Sequence, residues 1–196
     1  MSYSINSSVD DCYEGTTCLI NKMDIRDEAI LSTVEAEITA AKSAILSEIP
    51  FKQGFSFEDY KVIHRFLFED LYDWAGSVRT IDISKKGTVF TSADNIENQG
   101  KRIFERLQAE NYFLNLDFES FISNIVDLYC VTNMLHPFRE GNGRTQRVFL
   151  RQLIRYKGYN IDFSEIDPDE LMIATIHSAH GIKDFLFDIF FRNIHR

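Results

Sequence analysis

The 196-residue sequence predicts an all-α domain, a bundle of about seven helices with one β-hairpin set between them. Three observations lead there. Apolar residues recur at steps of three and four along most of the chain, the period drops to two in one stretch after residue 76, and Pro, Gly, Ser and Asp punctuate the runs where helices stop and start. The length suits one globular domain with a real core, and 17 Phe and 8 Tyr supply bulky apolar material that a disordered chain lacks.

Residues 1–23 are polar, rich in Ser, Asp and Thr, and without a sustained period, so they read as an irregular lead segment ahead of a domain spanning 24–196. From Asp24, the residues Leu31, Val34, Ile38, Ala41 and Ile45 form one stripe of a helix that stops before Pro50. Ser56 and Asp59 make a capping-box pair, and Tyr60, Ile63, Leu67, Leu71 and Trp74 carry a second helix to Gly76. Ile81 and Ile83 then alternate with polar neighbours, Lys85-Lys86-Gly87 makes a turn, and Val89-Phe90 resume an extended run: a hairpin.

A further helix is expected across 93–110, weakened by Gly100 in its middle. The next carries Phe121, Ile125, Leu128, Met134 and Leu135 on one face and ends at His136, because Pro137 disfavours a helical conformation in the residue before it. Another runs from near Gly143 to about Gly158. Asp167 and Pro168 open the C-terminal helical region, which Gly181 splits in two.

Chemistry concentrates in His136-Pro137-Phe138-Arg139-Glu140-Gly141-Asn142-Gly143-Arg144-Thr145-Gln146-Arg147. Two glycines flank an asparagine just before a helix start, so backbone N–H groups and the helix dipole can converge into an anion nest suited to a polyphosphate. Arg144, Arg147, Arg151 and Arg155 follow at steps of three, four and four, a basic stripe in a chain of net charge -9. Glu140 is the lone acid there, and Mg²⁺ commonly takes one or two carboxylates plus phosphate oxygens. His136 can take a proton from an attacking hydroxyl at neutral pH. Together these imply transfer of part of a nucleotide to a hydroxyl; spacing alone does not say which phosphorus is attacked. Taken singly, each piece also fits a bland role: a helix end, a loop carboxylate, a solvated face.

At these residues the chain resembles the Fic family, whose motif H-x-F-x-[D/E]-G-N-G-R-x-x-R is met at every specified position. The likeness extends through Phe68-Glu69-Asp70-Leu71-Tyr72-Asp73-Trp74-Ala75-Gly76 and the hairpin, over roughly residues 22–160. The resemblance implies a Fic fold and transfer of AMP from ATP, with Mg²⁺, to a Ser, Thr or Tyr hydroxyl of a target protein. On it, His136 is the general base and Glu140 the Mg²⁺ ligand. Gly141, Asn142 and Gly143 form the anion hole, Arg144 and Arg147 hold the outer phosphates, and Phe138 anchors the loop in the core. The family's phosphate-transferring branch carries Lys where this chain has Gly143, which favours AMP transfer. The hairpin from Ile81 to Thr91 looks like the family's target-registering flap, whose exposed strand edge captures a target segment through main-chain bonds, with Lys85, Lys86 and Phe90 the residues of interest.

Many members carry an inhibitory [S/T]-x-x-x-E-[G/N] helix whose Glu pairs with the second motif arginine, here Arg147. The only [S/T]-x-x-x-E in this chain, Thr33 to Glu37, is followed by Ile38, and Glu35 lacks the preceding hydroxyl residue. The first helix, with Asp24-Ile25-Arg26 and Glu35, looks more like the branch in which a separate small antitoxin supplies inhibition, so the expectation is a toxin held by a partner, with a topoisomerase subunit the leading target. The alternatives are transfer of another nucleotide or phosphate moiety, a non-catalytic nucleotide-binding module and, more weakly, a metal-dependent nuclease. The acidic balance argues against broad nucleic-acid binding, and the short apolar runs against membrane insertion; a cytoplasmic protein is expected. Cys12, Cys18 and Cys130 show no CxxC pair and read as reduced thiols. His64, His177 and His180 read as structural or surface residues.

Overall fold

In the computed structural model, which describes residues 4–5, 11–48, 54–85 and 87–196, Ser56 opens the central helix with a full capping box. That helix is the second of seven among the described residues: α1 (Glu28–Glu48), α2 (Phe57–Phe68), α3 (Ile96–Ala109), α4 (Phe118–Leu135), α5 (Asn142–Tyr156), α6 (Pro168–Ala179) and α7 (Asp184–Asn193). Five short strands accompany them: β1 (Ser4–Ile5), β2 (Ile83–Lys85), β3 (Thr88–Val89), β4 (Asn160–Ile161) and β5 (Ile194–His195). The chain is thus all-α with a hairpin of β2 and β3. No helix among the described residues is long and apolar enough to cross a membrane.

α1, α2 and α5 pack on one another; α5 also packs on α4, and α6 and α7 pack on α4 as well. The shared core is built from Ile63, Leu67 and Phe68 of α2, Phe121, Ile122 and Ile125 of α4, and Phe149, Leu150 and Leu153 of α5, all essentially inaccessible. At roughly 25 cal/mol per Å² of apolar surface, such burial is the main favourable term in the fold.

Four differences from the expected elements have identifiable causes. α1 starts at Glu28, not near Asp24: Asp24 sits in a turn with φ +51°, and the Asp27 carboxylate accepts from the Ala29 and Ile30 N–H groups as the cap. α1 keeps Leu31, Val34 and Ile38 of the expected stripe against the core but departs from it further along and in its most buried row. Leu31, Glu35 and Thr39 are its buried row, while Ala41 and Ile45 are exposed, because its inner face meets a polar part of the molecule as well as the core. α2 ends at Phe68, six residues before Trp74. The Leu71 and Tyr72 N–H groups both turn back on the Phe68 carbonyl, and Trp74 packs face to face on Tyr72 in the turns that follow.

The fourth difference concerns the ends of the chain. β1 pairs antiparallel with β2 (Ser4 opposite Ser84), so part of the lead segment is a third strand on the hairpin, in the order β1-β2-β3. Further along the lead, Cys12 bridges to Leu19, and Cys18 and Asn21 are buried. At the other end, β5 returns to pair with β4, a two-stranded clasp too short for any period to reveal. Gly100, in contrast, does not break its helix: α3 runs through it, and the missing side chain makes room for the Phe57 ring.

Candidate active site

α4 stops where Pro137 predicts, with His136 in the left-handed conformation (φ +42°) that turns the chain into the motif loop. The loop is pinned from beneath. The Phe138 ring is fully buried and stacks on His64 at 3.8 Å and, further off, on Tyr60 at 5.7 Å. The Asn142 amide clasps the Phe138 backbone on both sides, accepting from its N–H at 2.8 Å and donating to its carbonyl at 2.7 Å. His64 Nδ1 accepts from the Gly76 N–H at 2.8 Å, which leaves Nε2 to donate to the Glu140 carbonyl 3.0 Å away. Burial pushes the His64 pKa down to about 3, outweighing the Glu140 hydrogen bond that favours the charged form. Gly141 takes φ +78°, and a Cβ there would lie 2.2 Å from the Phe68 ring, so only glycine fits this corner.

His136 is only 7% exposed. Its ring lies under Phe90, centroids 3.8 Å apart and 12° from parallel, and its Nδ1 is 3.0 Å from the Asn133 carbonyl. That carbonyl can only accept, so Nδ1 carries the hydrogen and Nε2 the lone pair. Burial first, and then the positive charges of Lys85 and Arg79, push its pKa down to about 3, overcoming the Asn133 hydrogen bond, so the imidazole is neutral. The buried Arg79 guanidinium joins this end of α4 to the hairpin, donating to the carbonyls of His136 (2.9 Å), Ile81 (2.6 Å) and Thr91.

On the anion side, α5 begins at Asn142 with Gly141 as its N-cap, and the first N–H groups of such a helix have no acceptor within it. The Gly141 N–H itself donates to Glu140 Oε1 at 2.8 Å, so the nest is made by the residues after it. Arg147 hangs over the nest: a Cβ on Gly143 would be 3.2 Å from its Nη1. Burial lowers the Arg147 pKa from its ordinary value, and the guanidinium remains charged. Arg144 turns the other way, toward α1, where its Nη2 is bonded to Glu35 and lies 3.4 Å from Glu140 Oε1. Among the described residues no cluster of three or more His, Cys, Asp or Glu could cage a metal. A single carboxylate at the edge of a phosphate nest suits Mg²⁺, which completes its shell with substrate oxygens and water.

The structure brings His136, Glu140, Gly141, Asn142, Gly143, Arg144 and Arg147 together, with Phe90 above them and Lys85 close enough to act on His136 electrostatically. Lys86 lies outside the described residues. The basic stripe divides: Arg151 is 3.8 Å from Asp162, and Arg155 donates to the Ser47 carbonyl at the end of α1, so neither joins the nest. His177 packs on Phe185, His180 Nδ1 faces the Ile176 carbonyl, and Cys130 is a buried thiol. Sequence reasoning does not single out Arg79, reads His64 only as a structural or surface residue, and names Tyr72 and Glu35 without bringing them together beside Arg144. A signal for Glu35 existed in the row Leu31, Glu35, Thr39, where two polar residues continue an apolar position at helical spacing.

The Fic/DOC family model matches residues 54–154, from the residues before α2 almost to the end of α5. The protein adenylyltransferase VbhT of Bartonella schoenbuchensis is 35% identical over 179 residues, which is 91% of this chain but 37% of VbhT. A probable protein adenylyltransferase Fic of Escherichia coli is 33% identical, covering 86% of this chain and 84% of that protein. The crystal structure of the VirB-translocated effector BepC of Bartonella tribocorum, with bound AMPPNP, superposes with a TM-score of 0.90 at 27% identity, over 95% of this chain and 96% of that one.

Proposed function

The chain belongs to the Fic/DOC family, and from that premise we propose that it is a protein adenylyltransferase, moving AMP from ATP onto a Ser, Thr or Tyr hydroxyl of a target protein. The observation that carries this reading is the placement of a neutral His136, its Nδ1 hydrogen committed to Asn133, at the edge of a nest overhung by Arg147. Nε2 takes the proton from the incoming hydroxyl while that oxygen bonds to the α-phosphorus, and pyrophosphate leaves with the electrons of the broken bond. The N–H groups at the start of α5, with Arg147, hold the phosphates and offset the charge that develops on them. Mg²⁺, held by Glu140 and phosphate oxygens, would neutralise part of the same charge. Arg144 contributes from the α1 side of the loop.

Phe90 covers one face of the His136 imidazole, and the Nε2 lone pair lies in the ring plane, so an incoming hydroxyl approaches along the ring edge. Water arriving at that edge returns the imidazole toward its ordinary pKa near 6.5 and raises its basicity. β1 occupies one side of the hairpin, so a target segment pairs with the other, the β3 edge, where Val89 is 72% exposed. Inhibition by a separate antitoxin helix remains the regulatory reading. What supports it is that, among the described residues, Glu35 meets Arg144 and no carboxylate forms an ion pair with Arg147. A topoisomerase subunit is the target to test first.

The test is incubation of the wild-type chain and His136→Ala with ATP labelled on its α- or its γ-phosphate, Mg²⁺ and bacterial lysate. Protein bands that carry α-label, lack γ-label and vanish in His136→Ala are the expected result. Bands carrying γ-label would instead establish phosphoryl transfer.

A further inference from the structure

Glu35 stands on α1, more than a hundred residues before the motif, yet its carboxylate ends in the site. One oxygen accepts from Arg144 Nη2 and the other from the Tyr72 hydroxyl. The same Arg144 Nη2 lies 3.4 Å from Glu140 Oε1, its Nη1 is 3.4 Å from Thr39 Oγ1, and the guanidinium sits over the Phe68 ring at 4.9 Å. Tyr72 is buried and stacks on Trp74 with centroids 4.3 Å apart, so the carboxylate is gripped by a side chain that is itself immobilised. Two carboxylates therefore share one guanidinium. With Glu35 present, Arg144 can steer Glu140 without neutralising it; were the Glu35 charge removed, Glu140 would be the remaining acid beside that cation and would carry its whole attraction.

The geometry points to Glu35 as a positioning residue for adenylyl transfer: by taking most of the Arg144 charge onto α1, it keeps the Glu140 carboxylate available to the divalent cation that accompanies ATP. The inference rests on the adenylyl-transfer reading and adds a residue and a cause to it. Loss of an outer partner of this kind typically weakens metal affinity or activity by about 10–100-fold.

The experiment compares the full wild-type chain with Glu35→Gln, which keeps the shape and the hydrogen-bonding oxygen but removes the charge, and with Tyr72→Phe, which frees one carboxylate oxygen. ATP is titrated calorimetrically with and without Mg²⁺, and target labelling is followed across Mg²⁺ concentration. In Glu35→Gln, ATP binding without Mg²⁺ is expected to persist, the factor by which Mg²⁺ tightens ATP to fall roughly tenfold, and the Mg²⁺ midpoint for labelling to rise similarly. Tyr72→Phe should move both in the same direction by less, and suffices if Glu35→Gln does not fold. Faster labelling by Glu35→Gln than by wild type would overturn the inference and make Glu35 a brake. So would a lowered melting temperature in both variants with no change in Mg²⁺ dependence, which would make the cluster a brace only. A wild-type chain that binds no ATP would sink the adenylyl-transfer reading as well, whereas a wild type that binds ATP beside variants with unchanged Mg²⁺ dependence would sink this inference alone.

Discussion

His136 begins the motif loop and His64 fastens it, and both are held neutral by burial, each with a pKa near 3 against about 6.5 in an unfolded chain. Below pH 6.5 the unfolded chain takes up protons that the folded one refuses. The stability these two groups lend is complete above that pH and is lost as pH falls from about 6.5 toward 3. Calorimetric unfolding at pH 5 in buffers of different ionisation enthalpy should register uptake of about two protons from them, and His64→Gln should remove about one. Gly141 is a sharper test of the loop. Gly141→Ala sets a Cβ 2.2 Å from the Phe68 ring at a φ that costs an L-residue about 1–2 kcal/mol before the clash is counted. The variant should lose ATP binding by calorimetry even where circular dichroism shows its helices intact.

Helix propensity and packing oppose each other in α3, and the magnitudes decide between them. Gly100→Ala gains about 1 kcal/mol of helix propensity, but its Cβ would lie 2.5 Å from Phe57 Cε1, and overpacking a filled core costs about 1–3 kcal/mol. Net destabilisation in urea is expected; a stabilised variant would show that the Phe57 ring moves aside freely. Arg79 tests the hairpin, since it ties Ile81 and Thr91 to His136. Arg79→Ala leaves carbonyls without their donor, each worth about 1–3 kcal/mol if buried, and hydrogen exchange in β2 and β3 should quicken while α2 and α5 keep their protection. The capping box at Ser56, the proline positions and the two-residue period make α2, α4, α6 and the hairpin legible in the sequence. The stripe of α1 holds at Leu31, Val34 and Ile38 but not at Ala41 and Ile45, and α2 ends earlier than its period suggests, because the stripe rule assumes an apolar neighbour. α1 instead packs Glu35 and Thr39 against an arginine, and the turns after Phe68 are set by contacts with Tyr72 and Trp74 that no local pattern encodes.

Across the whole molecule, the motif was readable because it is contiguous, twelve residues that make a helix end, a loop and a helix start. Its supports were not, since Glu35 on α1, His64 on α2, Tyr72 in the turns after it and Arg79 before β2 are brought to it only by tertiary packing. Ligand binding should be felt by that whole assembly. At a hundred times its dissociation constant, ATP with Mg²⁺ should add about 2.7 kcal/mol, or roughly 5–10 °C in melting temperature for a domain this size. His136→Ala should keep most of that shift while losing labelling, separating the nest from the base. The pairing of β1 with the hairpin also bears on how the protein is handled. Any sequence fused ahead of Ser4 rides on the sheet whose far strand leads into Phe90, so an affinity handle or fluorophore placed there would report on, and interfere with, entry to the site. A group attached beside β5 sits instead on the separate β4-β5 clasp, which makes that position the sounder choice for labelling assays.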